Sequence, residues 1–305
     1  MGGALKPPSP KPASLDRLRC RWQRSISASM ADFQADTAVS GEGGKYRATL
    51  SRDWEVWGPF GGYVAAIALR AIGRETELRR PASIAVHFLS VAEFGEVELE
   101  VTNLRRGKRA HALAARMSQR GAPVLTATAW VVDAGMRGLE HTDAVMPHVP
   151  PPSELASYSE LAANYTEWYP VWHGAIDGKP VDWSSDAEPA APQWYAWLRL
   201  AGTAPSGDPF LDAARSLLWL DMMMWNAACR PHTPWPVSHL APSLDVTAMF
   251  HGNGAGEEWL LCDSHAPVAS ENLVGCTGRV WTADGRLVAS GTSMLFCRPN
   301  PLAQG

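Results

Sequence analysis

The 305-residue sequence has no apolar run approaching the roughly 20 residues that a membrane-spanning helix needs. It also has no sustained basic block, and its net charge is −4, so nucleic acid is not expected as a partner. Cysteines are few: Cys20, Cys229, Cys262, Cys276 and Cys297. Their number is odd and no pair is spaced CxxC, which excludes a zinc ribbon and argues against a disulfide frame. Reduced, buried thiols in a cytoplasmic protein are the expectation. HxxxH and glycine-rich phosphate-loop patterns are missing too, so neither metal-dependent nor nucleotide hydrolysis is indicated, and no metal ligands are assigned.

What is present is apolar residue, 46% of the chain, enough for a substantial core in one large or two medium domains. Residues 1–29 stand apart. They hold Pro7, Pro8, Pro10 and Pro12, and six basic side chains against the single acid Asp16. Without an apolar h-region this is not a secretory signal. It reads as a disordered or non-native extension, with Met30 as the natural start.

From Tyr46 the pattern becomes regular. Residues 46–50 alternate as a strand, and residues 61–73 read as a helix, apolar nearly all round, ending at Gly73. Four strand-like runs follow at 83–91, 96–104, 110–119 and 124–132, joined by short turns. The same order recurs as a helix over 210–229 and strands at 243–250, 258–264, 273–281 and 287–297. The last hairpins match, Arg120-Gly121-Ala122-Pro123-Val124 against Asp284-Gly285-Arg286-Leu287-Val288. Ser83-Ile84-Ala85-Val86 likewise matches Ser243-Leu244-Asp245-Val246. An internal duplication of one helix-plus-sheet unit is therefore expected. The units are 30–133 and 209–305. Residues 134–208 between them are rich in Pro and Trp and read as a connecting segment held to the surface by its aromatics.

The stretch WGPFGGYVAAIALRAIG places Gly61 and Gly62 at the start of the first apolar helix. A helix this apolar must be surrounded. Its first N–H groups have no intrahelical partner and its entrance carries partial positive charge, which suits an oxyanion or a polarised carbonyl. The glycines either admit such a group or simply permit close packing of the helix; the residues leave both readings open.

These two blocks resemble the halves of the acyl-CoA thioesterase II family, the double hotdog thioesterases. The first half is carried by GPFGGYVAAIALRAI and SIAVHFLSVAEFGEVELEVTNLRRGKRAHALAARMSQRGAPVLTATAW, the second by PSLDVTAMFH, EEWLLCDSHAP and DGRLVASGTSMLFCR. The resemblance implies an α+β fold. It is a double hotdog, two antiparallel sheets each wrapped around a central helix and joined side by side. It also implies hydrolysis of a fatty acyl-CoA to free fatty acid and coenzyme A, with no metal or organic cofactor. Either a monomer or a homo-oligomer is compatible with it.

The family holds its attacking water with an Asp, a Ser or Thr, and a Gln. The Asp of its SLD pattern corresponds to Asp245, where the first repeat has Ala85. The hydroxyl position falls at Ala266-Pro267, where no hydroxyl exists, with Ser264 and Ser270 nearby. The Gln position falls at Ser293, against Ala129 in the first repeat. Asp245 is the expected base or water-orienting group, Ser293 its helper, and Gly61, Gly62 and Tyr63 the donors to the carbonyl. Arg106, Lys108 and Arg109 in the basic turn 105–109 are candidates for the coenzyme A phosphates. The missing hydroxyl keeps an alternative in view, a non-catalytic acyl-CoA binding protein on the same scaffold. A hotdog hydratase or dehydratase using His87 is a further alternative.

Overall fold

The structure is a computed structural model that describes residues 31–56, 58–162, 175–182, 188–201, 207–232 and 238–299. Helix α1 (Phe33–Asp36) and strands β1 (Ser40–Glu42) and β2 (Lys45–Leu50) lead into helix α2 (Gly61–Arg74). Strands β3 (Arg80–Phe88), β4 (Gly95–Arg106), β5 (Ala110–Gln119) and β6 (Ala122–Val132) follow. After the short helix α3 (Tyr158–Ala162) come β7 (Ile176–Pro180), β8 (Gln193–Leu200) and the long helix α4 (Pro209–Cys229). The chain closes with β9 (His239–Leu240), β10 (Asp245–Phe250), β11 (Leu260–Ser270), β12 (Leu273–Trp281), β13 (Leu287–Phe296) and β14 (Arg298–Pro299). None of the helices described is long and apolar enough to cross a membrane.

The strands of β2–β6 show the period-2 alternation that a half-buried sheet requires. β4 buries Val97, Leu99 and Val101 and exposes the acids between them. The buried faces meet α2, whose residues from Gly62 to Leu69 are all buried. Ala65, Ile67 and Leu69 have no exposed surface at all. Each such fully buried Ile or Leu contributes about 1.5–3 kcal/mol. Helix α4 does the same for the second half, packing on β8, β11, β12 and β13.

All the principal strands form one antiparallel sheet in the order β1-β2-β4-β5-β6-β3-β10-β13-β12-β11-β8-β7; only β9 and β14 pair apart from it. Read outward from the β3–β10 junction, the two halves have the same order. The expected pair of sheets lying side by side is thus a single sheet. Ser83–His87 of β3 and Asp245–Met249 of β10 are joined by main-chain pairing. The reason is physical: without that ladder each half would end in an unpaired edge strand.

The register also corrects the match between repeats. Thr128 and Thr292 occupy equivalent places in the two final hairpin strands. Thr128 faces Ala85, whereas Thr292 faces Thr247. The counterpart of Asp245 is therefore Ser83, two residues from the expected Ala85. It is still a position where only the second half carries an acid.

The segment 134–208, expected as a plain connection, supplies two strands of the sheet. β8 stands before α4 as β2 stands before α2. Its Trp194 and Leu198 are buried in the main core, and Trp197 packs with Leu261 and Trp281 on the opposite face. That second face is covered by Met146, Val149 and Leu155. Two tryptophans are tied down as the aromatic-anchor reading expects: Trp194 Nε1 donates to Tyr158 Oη at 3.2 Å, and Trp197 Nε1 to the Pro150 carbonyl at 2.9 Å. Trp57, Trp168, Trp172 and Trp183 lie outside the described residues, as does the extension 1–29.

The two central helices pack against each other in opposite directions. A Cβ added at Gly62 would lie 3.1 Å from Leu218 Cα, and one at Gly73 would lie 2.6 Å from the Phe210 ring. Glycine at both points lets the helix axes approach.

Candidate active site

Helix α2 begins without a capping side chain: Phe60 is its N-cap residue, and its carbonyl accepts from the Val64 N–H at 3.0 Å. The first N–H groups must therefore find partners elsewhere. The Gly62 N–H finds one in the carboxylate of Asp221, which reaches across from the middle of α4. A Cβ at Gly61 would lie 3.0 Å from Asp221 Oδ2 and 3.2 Å from the Phe88 ring. The glycines have a packing use that the structure displays directly. They allow close helix packing, and they bring a negatively charged group against the positive end of the helix.

Asp221 is only 6% exposed. Its Oδ1 accepts a 2.7 Å hydrogen bond from the hydroxyl of Ser243. Burial pushes its carboxyl up to about 6, against the pull of the Ser243 and Gly62 hydrogen bonds toward lower values. Ser243 precedes Asp245 by two residues, so this contact links the entrance of α2 to the start of β10.

At that start, the Asp245 Oδ1 accepts the Met294 N–H at 3.0 Å, and Ser293 Oγ donates to the Asp245 main-chain carbonyl at 2.7 Å. The two residues expected as a pair are neighbours, but the hydroxyl bonds the carbonyl and not the carboxylate. Alternation explains the difference. Val246, Ala248 and Phe250 point into the core, which sends Asp245 to the other face, while Ser293 is itself buried.

Along the inner face, Ser293 pairs with Cys276. The next strand bulges between His265 and Val268, so that Ala266 and Pro267 lie opposite Cys276. Ala266 is buried and Pro267 exposed. The position expected to lack a hydroxyl thus faces the row that contains Ser293. Ser264 shares that inner face two residues away, and Ser270 is exposed. Burial pushes the Cys276 thiol up to about 12, and Cys229 and Cys262 also rise well above the ordinary thiol range. None of these is a poised nucleophile.

Tyr63 has a structural use for its side chain. Its hydroxyl donates to the Asp36 carbonyl at 2.9 Å and accepts from the Ser51 N–H at 3.1 Å, and its ring stacks on Trp54 at 5.1 Å. Burial raises its phenol far above the ordinary value. Only its N–H, in the first turn of α2, remains a candidate for the site.

The basic turn lies at the other end of α2. Arg106 donates to Glu77 at 2.7 Å, and the neighbouring His111 contacts Thr76 at 2.8 Å, both just beyond the helix's last turn. The fourteen residues of α2 separate this turn from Gly61, about 20 Å at the usual helical rise. Arg105, Lys108 and Arg109 are exposed and carry no ion pair among the described residues. His87 is exposed and stands directly across the strand pair from Asp245. Among the described residues no three of His, Cys, Asp and Glu gather closely enough to hold a metal ion.

Asp221 is the residue that the motifs did not point to. Its signal was present: one acid in the apolar run LLWLDMMMW of a helix expected to be buried. A carboxylate there needs donors from another element, and the nearest glycine-opened helix entrance supplies one.

Comparison with known proteins brings three kinds of likeness. The acyl-CoA thioesterase N-terminal domain family matches residues 50–132, and the acyl-CoA thioesterase C-terminal domain family matches residues 144–296. The human protein acyl-coenzyme A thioesterase 8 is 26% identical over 266 residues, covering 79% of this chain and 82% of that protein. An acyl-CoA thioesterase II, TesB2 from Mycobacterium marinum, superposes with a TM-score of 0.73 at 22% identity, over 88% of this chain and 99% of that one. A hot dog protein from Alicyclobacillus acidocaldarius gives 0.70 at 24% identity, over 89% and 100%. The likeness to these two structures is one of fold.

Proposed function

The chain belongs to the acyl-CoA thioesterase family, a family of thioester hydrolases, and we propose that it hydrolyses a fatty acyl-CoA to the free acid and coenzyme A on a scaffold of two hotdog units. The observation that carries the site is the meeting of the α2 entrance with the start of β10. Gly61, Gly62 and Tyr63 open a helix whose first main-chain N–H groups have no partner within the helix, with the Gly62 N–H turned to Asp221. Ser243, two residues before Asp245, is bonded to the carboxylate that touches that entrance. The thioester carbonyl would lie at the helix entrance, where main-chain N–H groups polarise it and stabilise the oxyanion as water attacks. Asp245 would orient that water and take its proton, and coenzyme A would leave as the thiol after the tetrahedral intermediate collapses. Ser293 supports Asp245 through its main-chain carbonyl.

A coenzyme A with its thiol end at Gly61 reaches Lys108 and Arg109 only by running the length of α2. This is the geometry the proposal asks of the phosphate contacts, with Arg106 already engaged by Glu77.

One observation favours a second reading. The resemblance puts the family's hydroxyl at Ala266-Pro267, where neither side chain has one and Ala266 is buried, and a lost donor in a preorganised site costs about a hundredfold or more in rate. A protein that binds acyl-CoA without hydrolysing it would follow. Hydrolysis assays with acyl-CoAs of graded chain length, run beside Asp245→Asn, separate the two. Turnover by the parent that Asp245→Asn abolishes supports hydrolysis through Asp245; binding without turnover at every chain length supports the second reading.

A further inference from the structure

We propose that the acyl group is seated over Gly278, on the inner face of β12, in the room that the Met224 side chain now fills, and that the Ser264 hydroxyl beside it pairs with an oxygen carried on the chain. The inference rests on the reading that an acyl-CoA is cleaved at the α2 entrance. It narrows the substrate class to acyl groups bearing a hydroxyl or carbonyl along the chain.

Two buried glycines face each other across β12 and β13, Gly278 opposite Gly291. They are there for different reasons. A Cβ at Gly291 would lie 2.1 Å from the Thr247 carbonyl oxygen, so the main chain of β10 forbids a side chain there. At Gly278 the three atoms nearest to an added Cβ all belong to side chains on α4: Met224 Cε at 2.8 Å, Leu220 Cδ2 at 3.1 Å and Met224 Sδ at 3.5 Å. Nor is Gly278 among the residues with positive φ. Glycine inside a strand is destabilising by about 0.5–1 kcal/mol relative to alanine. At Gly278 neither the backbone conformation nor a neighbouring main chain requires it. What it supplies is room, occupied by the end of a methionine, a side chain with three rotatable bonds that repacks readily.

That room adjoins the site. Gly278 lies two residues from Cys276 on the same face, about 7 Å along the strand, and Cys276 pairs with Ser293. Met224 follows Asp221 by three residues on α4, and Asp221 touches the α2 entrance. A chain leaving the thioester there reaches Gly278 by running between α4 and β12. On its other side Gly278 pairs with Ser264 of β11. Ser264 is 2% exposed, and its hydroxyl has no hydrogen-bond partner among the described residues. Leaving a buried hydroxyl unpaired costs about 1–3 kcal/mol. Side chains of directly opposed residues stand about 5 Å apart, so a chain that displaces Met224 comes within reach of Ser264. A plain hydrocarbon would leave that hydroxyl unpaired, and an oxygen on the chain would satisfy it.

The test is the profile of kcat/KM over acyl-CoAs of graded length, plain and hydroxylated at graded positions, for the parent, Met224→Ala, Gly278→Val and Ser264→Ala. Met224→Ala enlarges the seat and should raise kcat/KM about tenfold for chains longer than the parent prefers, the effect of a methylene or two in an apolar pocket. Gly278→Val fills the seat and should shorten the preferred chain; Gly278→Ala makes the same test if the bulkier variant does not fold. Ser264→Ala should reduce the parent's preference for hydroxylated over plain chains by about fivefold to tenfold, the effect of one net hydrogen bond. An unchanged length profile in Met224→Ala and the glycine variant, or a parent without preference for hydroxylated chains, overturns the proposal. If the parent hydrolyses no acyl-CoA, the hydrolytic reading has failed. The affinities of non-hydrolysable thioether analogues over the same lengths then decide the seat. A length profile that shifts in Met224→Ala supports it, and an unmoved profile overturns it.

Discussion

Ser293 gives its hydroxyl hydrogen to the main-chain carbonyl of Asp245, at 2.7 Å, while the carboxylate of Asp245 takes the N–H of Met294. The two side chains therefore act on different parts of the site. Asp245→Asn keeps the shape and the Met294 contact through its carbonyl oxygen but removes the base. Its kcat should fall about a hundredfold or more with the melting temperature nearly unchanged. Ser293→Ala leaves Asp245 charged and should cost less activity. Because Ser293 is buried, it should cost about 1 kcal/mol of stability from the lost hydrogen bond. Steady-state kinetics beside thermal melts check both; equal rates for parent and Asp245→Asn would remove Asp245 from the mechanism.

Restoring a hydroxyl offers the opposite test. Ala266 is buried on the face that carries Ser293, with Cys276 between. Ala266→Ser adds one oxygen in that row and should raise kcat, by about tenfold if the new donor reaches the reacting water. A fall in kcat with no change in stability would mean that this row does not face the substrate.

Lys108→Glu combined with Arg109→Glu should weaken acyl-CoA binding, most at low ionic strength, because exposed charges are screened as salt rises. Affinity measured by calorimetry at two salt concentrations reads this directly. Unchanged affinity would take the turn out of the site, which its distance from Gly61 along α2 makes a demanding requirement.

Asp221 also predicts how stability depends on pH. Its folded value of about 6 exceeds the ordinary 3.8, so the folded state holds the proton more tightly than the unfolded chain. The resulting stabilisation is complete below pH 3.8 and is lost as pH rises through 6. At pH 7.5 the parent carries the cost of a buried charge, up to about 3 kcal/mol. Asp221→Asn should therefore melt at or above the parent at pH 7.5 and lose that advantage in acid. Chemical denaturation at both pH values measures it; a lower stability at every pH would show that the hydrogen bonds outweigh the charge.

Gly62→Ala should destabilise by roughly 1–3 kcal/mol, the usual cost of overpacking. Its new methyl would meet the Leu218 main chain, which has no side-chain freedom with which to yield. Gly121→Ala is a useful contrast: there the new methyl meets nothing, but the positive φ of 81° strains any side chain.

Strands β4 to β6, β10, β12 and β13 were legible because one face of each meets a helix and the other, over most of its length, meets solvent, which writes the period of two into the residues. β8 was not. QWYAWLRL is covered on both faces, by α4 on one and by the 144–155 stretch on the other, and a strand buried twice has no alternation to read. The pairing of β3 with β10 was equally hidden, since main-chain ladders between distant segments leave no local mark. The misplacement of Asp245's counterpart by two residues followed from matching short words rather than register. Asp245 and Ser293 as neighbours were legible because a family pattern fixed them. Asp221 was legible only as an anomaly of charge in an apolar helix, and its partners became identifiable once α2 and α4 were seen to cross at glycine.

A sheet twelve strands wide would ordinarily be a template on which other chains could add strands. Here, among the described residues, its two outermost strands are β1, three residues long, and β7, which ends in Pro180 and so offers no N–H at that point. All the long, strongly alternating strands are enclosed between neighbours. The same junction that merges the two halves hides the edges that would otherwise promote aggregation, leaving only short and interrupted ones at the rim.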